Sequence, residues 1–173
     1  MNKTKSGFTI VELLIVIVVI GILAAMTIVA FNGIQQRAHN TKVVSGVKAY
    51  RDALTQYAVI NGQYPSGAGC LGTGYPVDNV CWRDNLGNTV SLVAASFNTA
   101  LSPYLPTRPE VAAERLYLYN TDHHRTGIYF NSGSGRMEYY LKGPNQECPI
   151  GSRANPGYQT TQCLLIFPNP ATL

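Results

Sequence analysis

From Leu13 to Phe31 the chain carries nineteen consecutive residues with one polar side chain, Thr27. At 1.5 Å per residue, a helix of that length spans roughly 28 Å, close to a bilayer's hydrocarbon core of about 30 Å. The uncharged run continues to Gln36, which leaves slack for tilt. The segment is long enough to cross a membrane and longer than the apolar region of an ordinary secretory signal. Lys3 and Lys5 precede it, which keeps the amino terminus cytoplasmic and sends the remainder outward. Arg37 and Lys42 weaken that bias, but a long folded domain crosses regardless of nearby charge.

Two features do not belong to a plain anchor. Gly7-Phe8 places a small residue directly before the apolar run, whereas a secretory signal is cut after it. Glu12 places a carboxylate at the start of a spanning segment, where it needs a partner or a function. If cleavage after Gly7 makes Phe8 the new terminus, Phe8 and Glu12 become i,i+4 neighbours on a helix. Glu12 then pairs with the ammonium of its own chain or of an adjacent subunit. The plainer alternative is a glutamate that snorkels to water.

The order Ser6-Gly7-Phe8-Thr9-Ile10-Val11-Glu12-Leu13, the apolar run and Gly21-Ile22-Leu23-Ala24-Ala25 closely resemble the leader and first helix of type IV pilins and pseudopilins. The resemblance covers about the first thirty residues. It implies cleavage after Gly7 by a membrane prepilin peptidase, methylation of the Phe8 nitrogen by the same enzyme, and a role for Glu12 in recruitment into a fibre. It also implies an inner-membrane assembly machinery as partner and a cell-surface filament as destination. One departure is Ile28-Val29-Ala30, where many members of the family carry a helix-kinking proline. Gly21 remains a weak point for the helix, at about 1 kcal/mol relative to Ala.

Beyond the apolar run, Val43, Val47, Tyr50, Leu54 and Tyr57 recur at spacings of 4, 3, 4 and 3, one apolar stripe on a continuing helix. Gly62 is a stop and Pro65 prevents resumption. Residues 63–173 hold all four cysteines. None forms a Cys-x-x-Cys pair, which argues against zinc. An even count beyond a membrane segment points to disulfides in an oxidising compartment. Of three connectivities, Cys70–Cys81 and Cys148–Cys163 close the short loops; four buried thiols are the alternative. A short helix is expected from 90 to 101, and strands at 115–119, 126–130, 136–141 and 162–167, rich in aromatic and branched residues. Residues 120–124 and 131–135 read as hairpin turns.

The expected fold is α+β: a long amino-terminal helix, first transmembrane and then amphipathic, packed on a small antiparallel sheet. A head of this kind, with a disulfide near the carboxy terminus, is similar to that of pilins. The expected organisation is a cleavable leader at 1–7, the helix at 8–62 with about 8–33 in the membrane or filament core, and a β-rich head at 63–173.

Net charge is +4, and setting Lys3 and Lys5 aside leaves +2, too little to argue for nucleic acid; DNA contact by exposed Tyr and Arg stays an unsupported possibility. His123-His124 beside Asp122 reads as a polar turn rather than a metal site. The 148–163 segment lacks Asp and Glu, so it lacks calcium's preferred ligands. No nucleophile elbow, zincin or phosphate-loop motif occurs, and neither cofactor nor catalytic residue is expected. The reading is a filament subunit, self-associating or joined with other pilins, for motility, adhesion or DNA uptake. Alternatives are a minor pilin, a secretion-type pseudopilin, or, from another class, a membrane-anchored binding module that never polymerises.

Overall fold

The computed structural model describes residues 7–75, 80–83, 90–92, 94–111, 114–119 and 123–173. The first helix, α1, runs Ile10–Asn61. The chain divides into two compact units, Met1–Arg37 and Ala38–Leu173.

In the first unit the helix is apolar on every side. Ile10, Leu13, Ile17, Ile20, Leu23 and Met26 are all more than half exposed. A helix apolar all round is built for a nonaqueous surrounding. The one polar side chain of the run, Thr27, donates its hydroxyl to the Ala24 carbonyl at 2.9 Å, which satisfies it without water. Among the described residues this is the one helix long and apolar enough to cross a membrane.

In the second unit the stripe foreseen on α1 is the seam of the core. Val43, Val47, Tyr50 and Leu54 are buried, and Tyr57 packs beside them, edge-on to Tyr104. Gly62 ends the helix at φ 69°, a left-handed conformation that glycine adopts without a Cβ penalty. Its N–H reaches the Ala58 carbonyl at 2.8 Å.

The strands are β1 (Ala68–Leu71), β2 (Val80–Arg83), β3 (Val90–Leu92), β4 (His124–Arg125), β5 (Gly127–Asn131), β6 (Arg136–Lys142), β7 (Ser152–Asn155) and β8 (Thr160–Ile166). A five-stranded antiparallel sheet has the order β1-β5-β6-β8-β7, and a three-stranded one the order β3-β2-β4. With α1 they form the α+β architecture expected. Phe97, Phe130, Phe167 and Tyr64 make an edge-to-face aromatic cluster beneath the second helix, α2 (Ala95–Leu101).

Three local expectations shift. The helix within 90–101 is shorter, because Val90–Leu92 pairs with β2 and only Ala95–Leu101 coils. Residues 115–119 form no ladder. Leu116 and Leu118 are buried, but the segment bonds to two partners: Leu116 O accepts from Arg125 N, while Tyr117 O accepts from Gln159 N and Leu118 O from Tyr158 N. Tyr117 makes one isolated antiparallel bridge to His124 of β4, closed by the Leu118 N–H to the His123 carbonyl at 3.0 Å, and the segment otherwise fills a gap between two neighbours. The supposed turn at 120–124 falls partly outside the described residues; His124 begins β4. The turn at 131–135 does join β5 to β6 as a hairpin.

Candidate functional site: the amino-terminal processing segment

Phe8 stands 86% exposed, and a Cβ placed on Gly7 would meet nothing within 4 Å. The Gly7-Phe8 bond is thus presented on open chain ahead of the helix. Met1–Ser6, with Lys3 and Lys5, lie outside the described residues.

Thr9 immediately precedes the first helical residue, Ile10, and Glu12 sits three residues on. Thr9 Oγ1 accepts from the Glu12 N–H at 3.3 Å. Glu12 Oε2 in turn accepts from the Thr9 N–H at 2.8 Å and from the Thr9 hydroxyl at 2.7 Å. This is a capping box, which satisfies two of the amide donors left over at a helix start. It also places a carboxylate at the positive end of the helix dipole. The Thr9 carbonyl accepts the Leu13 N–H at 3.3 Å, opening the ladder.

The sequence reading singled out Gly7, Phe8 and Glu12 and missed Thr9. The signal was present: Thr-x-x-Glu directly before an apolar run is a capping box. The described bonds of Glu12 go to Thr9. With residues 1–7 still attached, the Phe8 nitrogen is an amide, and it gains charge only by cleavage.

The structure joins Cys70 to Cys81 and Cys148 to Cys163, each with Cα atoms 5.7 Å apart. The first ties β2 to β1. The second ties the approach to β7 onto β8. Tyr139, beside it, donates its hydroxyl to the Ile150 carbonyl at 2.6 Å, and burial raises its pKa. His123 stacks edge-on against Tyr119 at 5.3 Å. Among the described residues, no three His, Cys, Asp or Glu side chains come together as a metal site would require.

Residues 2–28 match the family model described as the prokaryotic N-terminal methylation motif. The chain is 38% identical over 65 residues to type II secretion system core protein G of Aeromonas hydrophila, covering 38% of this chain and 46% of that protein. It is 36% identical over 66 residues to a fimbrial protein of Neisseria meningitidis, covering 38% of this chain and 39% of that one. It is 31% identical over 80 residues to the type IV major pilin protein PilE1 of Neisseria gonorrhoeae, covering 46% and 48%. The aligned stretch thus spans under half the length of each relative. No solved structure matches the chain. The chain thus carries a prokaryotic N-terminal methylation motif and is similar, over less than half of its length, to type II secretion system core protein G and to a type IV major pilin.

Proposed function

We propose that this chain is a pilin-like structural subunit, processed after Gly7, methylated at the Phe8 nitrogen and polymerised into a filament. One observation carries the reading. The exposed Gly7-Phe8 boundary leads directly into a capped helix whose apolar side chains are exposed on every side. Such a helix needs lipid before assembly and neighbouring copies of itself afterwards. In this reading the membrane stores unassembled subunits, Lys3 and Lys5 hold the amino terminus in the cytoplasm and so send the Ala38–Leu173 unit outside, and the cell surface is the destination. Assigned partners are other copies of the chain or other pilins, the prepilin peptidase and an inner-membrane assembly machinery.

In this scheme Glu12 neutralises the Phe8 ammonium that cleavage creates, in the same chain or in a neighbour. A lone carboxylate or ammonium inside an apolar fibre core costs several kcal/mol, and pairing offsets much of it. The similarity to core protein G supports a second reading of the same class, a secretion-type pseudopilin.

Intact-mass and amino-terminal sequencing of sheared cell-surface material tests the proposal. A chain beginning at methylated Phe8 in that fraction is the expected result. A processed chain confined to the cell envelope would favour the pseudopilin. A chain retaining Met1–Gly7 and found only in membranes would sink the filament reading and leave an anchored module.

A further inference from the structure

At the start of the Ala38–Leu173 unit, one side chain staples α1 to the end of β6. Asn40 Oδ1 accepts from the Lys142 N–H at 2.7 Å, and Asn40 Nδ2 donates to the Lys142 carbonyl at 3.1 Å. The side-chain amide thus exchanges two bonds with β6, as the backbone of a further strand would. Lys142, the last residue of β6, sends its ammonium to Glu114 Oε2 at 2.6 Å. Lys42, two residues beyond Asn40, sends its own to Glu110 Oε2 at 3.2 Å. Two cations and two carboxylates therefore flank the staple, paired one to one.

His39 is the residue before Asn40 and is half-buried. Its Nε2 is buried and has no hydrogen-bond partner. A neutral imidazole can carry its hydrogen on the other nitrogen and leave Nε2 as an unmet acceptor, but an imidazolium carries a hydrogen on both. Protonation would set a charged N–H where no acceptor stands, the costlier case. Burial is the largest effect on the ring and holds its pKa below the usual 6.5. The Glu114 carboxylate works against this but is engaged by Lys142, and the Lys142 and Lys42 ammoniums add to the lowering. A charged ring could reach water only if this turn of α1 rotates or lifts, and Asn40 lies in the same turn. Protonation of the ring and the Asn40–Lys142 bonds therefore compete.

We propose that His39 is an acid-sensitive latch: neutral, it lets α1 seat on the end of β6 through Asn40, and protonated, it releases that seat. A base that is harder to protonate in the folded chain supports the seat fully above its ordinary pKa. The support is lost as pH falls from about 6.5 through the lower folded value. Between pH 7 and 5 a histidine changes charge while ordinary carboxylates stay largely ionised. The latch is independent of polymerisation, and so is its test.

The Lys142 amide, whose hydrogen goes to Asn40, reports the latch directly. Its hydrogen exchange is followed by NMR on the full-length chain in a nonionic detergent from pH 7 to 5, each rate taken against the intrinsic rate at that pH. The Lys142 protection factor should fall about tenfold, beginning near pH 6.5, for a folded pKa about one unit low. The Phe130 amide, in the middle of β5, should keep its protection. His39→Gln cannot gain charge and should level the Lys142 profile. If that variant fails to fold, the ring's own titration in the unaltered chain decides, and a midpoint below 6.5 is expected. The proposal is overturned by a level Lys142 profile in the unaltered chain, by a fall that persists in folded His39→Gln, by an equal loss at Phe130, or by a His39 ring that titrates at or above 6.5.

Discussion

The carboxylate of Glu12 takes both donors of Thr9 on one oxygen, the backbone N–H at 2.8 Å and the hydroxyl at 2.7 Å. In the chain that still carries residues 1–7, the carboxylate thus has a local partner. Cleavage after Gly7 would place an ammonium one residue before Thr9, in reach of the same oxygens.

Thr9→Ala removes the hydroxyl that caps the helix and should cost its first turn about 1 kcal/mol. Hydrogen exchange of the Val11 and Glu12 amides in detergent should speed up accordingly, and Thr9→Ser should restore protection. Unchanged exchange in Thr9→Ala would mean the cap contributes nothing. Glu12→Ala should leave the chain in the membrane and processed, but with surface filaments reduced at least tenfold. Normal fibres from that variant would remove Glu12 from assembly.

Leu54 is fully buried in the seam between α1 and the sheet. Leu54→Ala should destabilise the Ala38–Leu173 unit by about 2–5 kcal/mol, read as a lower urea midpoint at similar slope. Val59→Ala, on the exposed side of the same helix, should shift it by less than about 0.5 kcal/mol.

The disulfides should contribute comparably. Cys148 and Cys163 are 15 residues apart, worth about 3 kcal/mol in the chain-entropy account. Replacing both by serine should lower stability by about that amount. The Cys70/Cys81 pair, 11 residues apart, should lose slightly less, and should also disturb Trp82 emission, because that bridge holds β2. Identical Trp82 spectra with and without the Cys70–Cys81 bridge would contradict the placement of β2.

The Ala38–Leu173 unit should be labile in alkali. Burial pushes the Tyr50 phenol up from 10.0 to about 12, with the nearby Gly72 backbone, short of a well-formed hydrogen bond, and the Arg108 charge partly offsetting it. Burial also raises Tyr75, Tyr139 and Tyr140. A phenol with a raised folded pKa favours folding while protonated. The stabilisation is complete below pH 10 and is lost as pH rises toward 12. Unfolding followed by circular dichroism should steepen across pH 10–12, and Tyr50→Phe should flatten the curve by up to one proton. A stability profile level through pH 12 would contradict the burial of these hydroxyls.

Much of this protein follows from local order along the chain. The apolar run demands lipid or like neighbours because no polar face interrupts it. Gly7-Phe8 and Glu12 stand out because each is anomalous for a plain anchor. The stripe from Val43 to Leu54 declares a helix half-buried on one side, because spacings of 3 and 4 keep it on one face. The strands at 127–131 and 136–142 are legible from branched and aromatic residues around a four-residue turn, since a hairpin is a local contact. What the tertiary structure decided is nonlocal. Leu116–Tyr119 has the composition of a strand, yet it lies between residues 123–125 and 158–159 and pairs fully with neither. Strand β7, polar and short, exists because β8 offers it an edge. Trp82, one aromatic among many in the sequence, comes edge-on to Tyr129 of β5 where the Cys70–Cys81 bridge ties β2 beside β1. Register between distant segments depends on the whole sheet, and no single stretch of the chain encodes it.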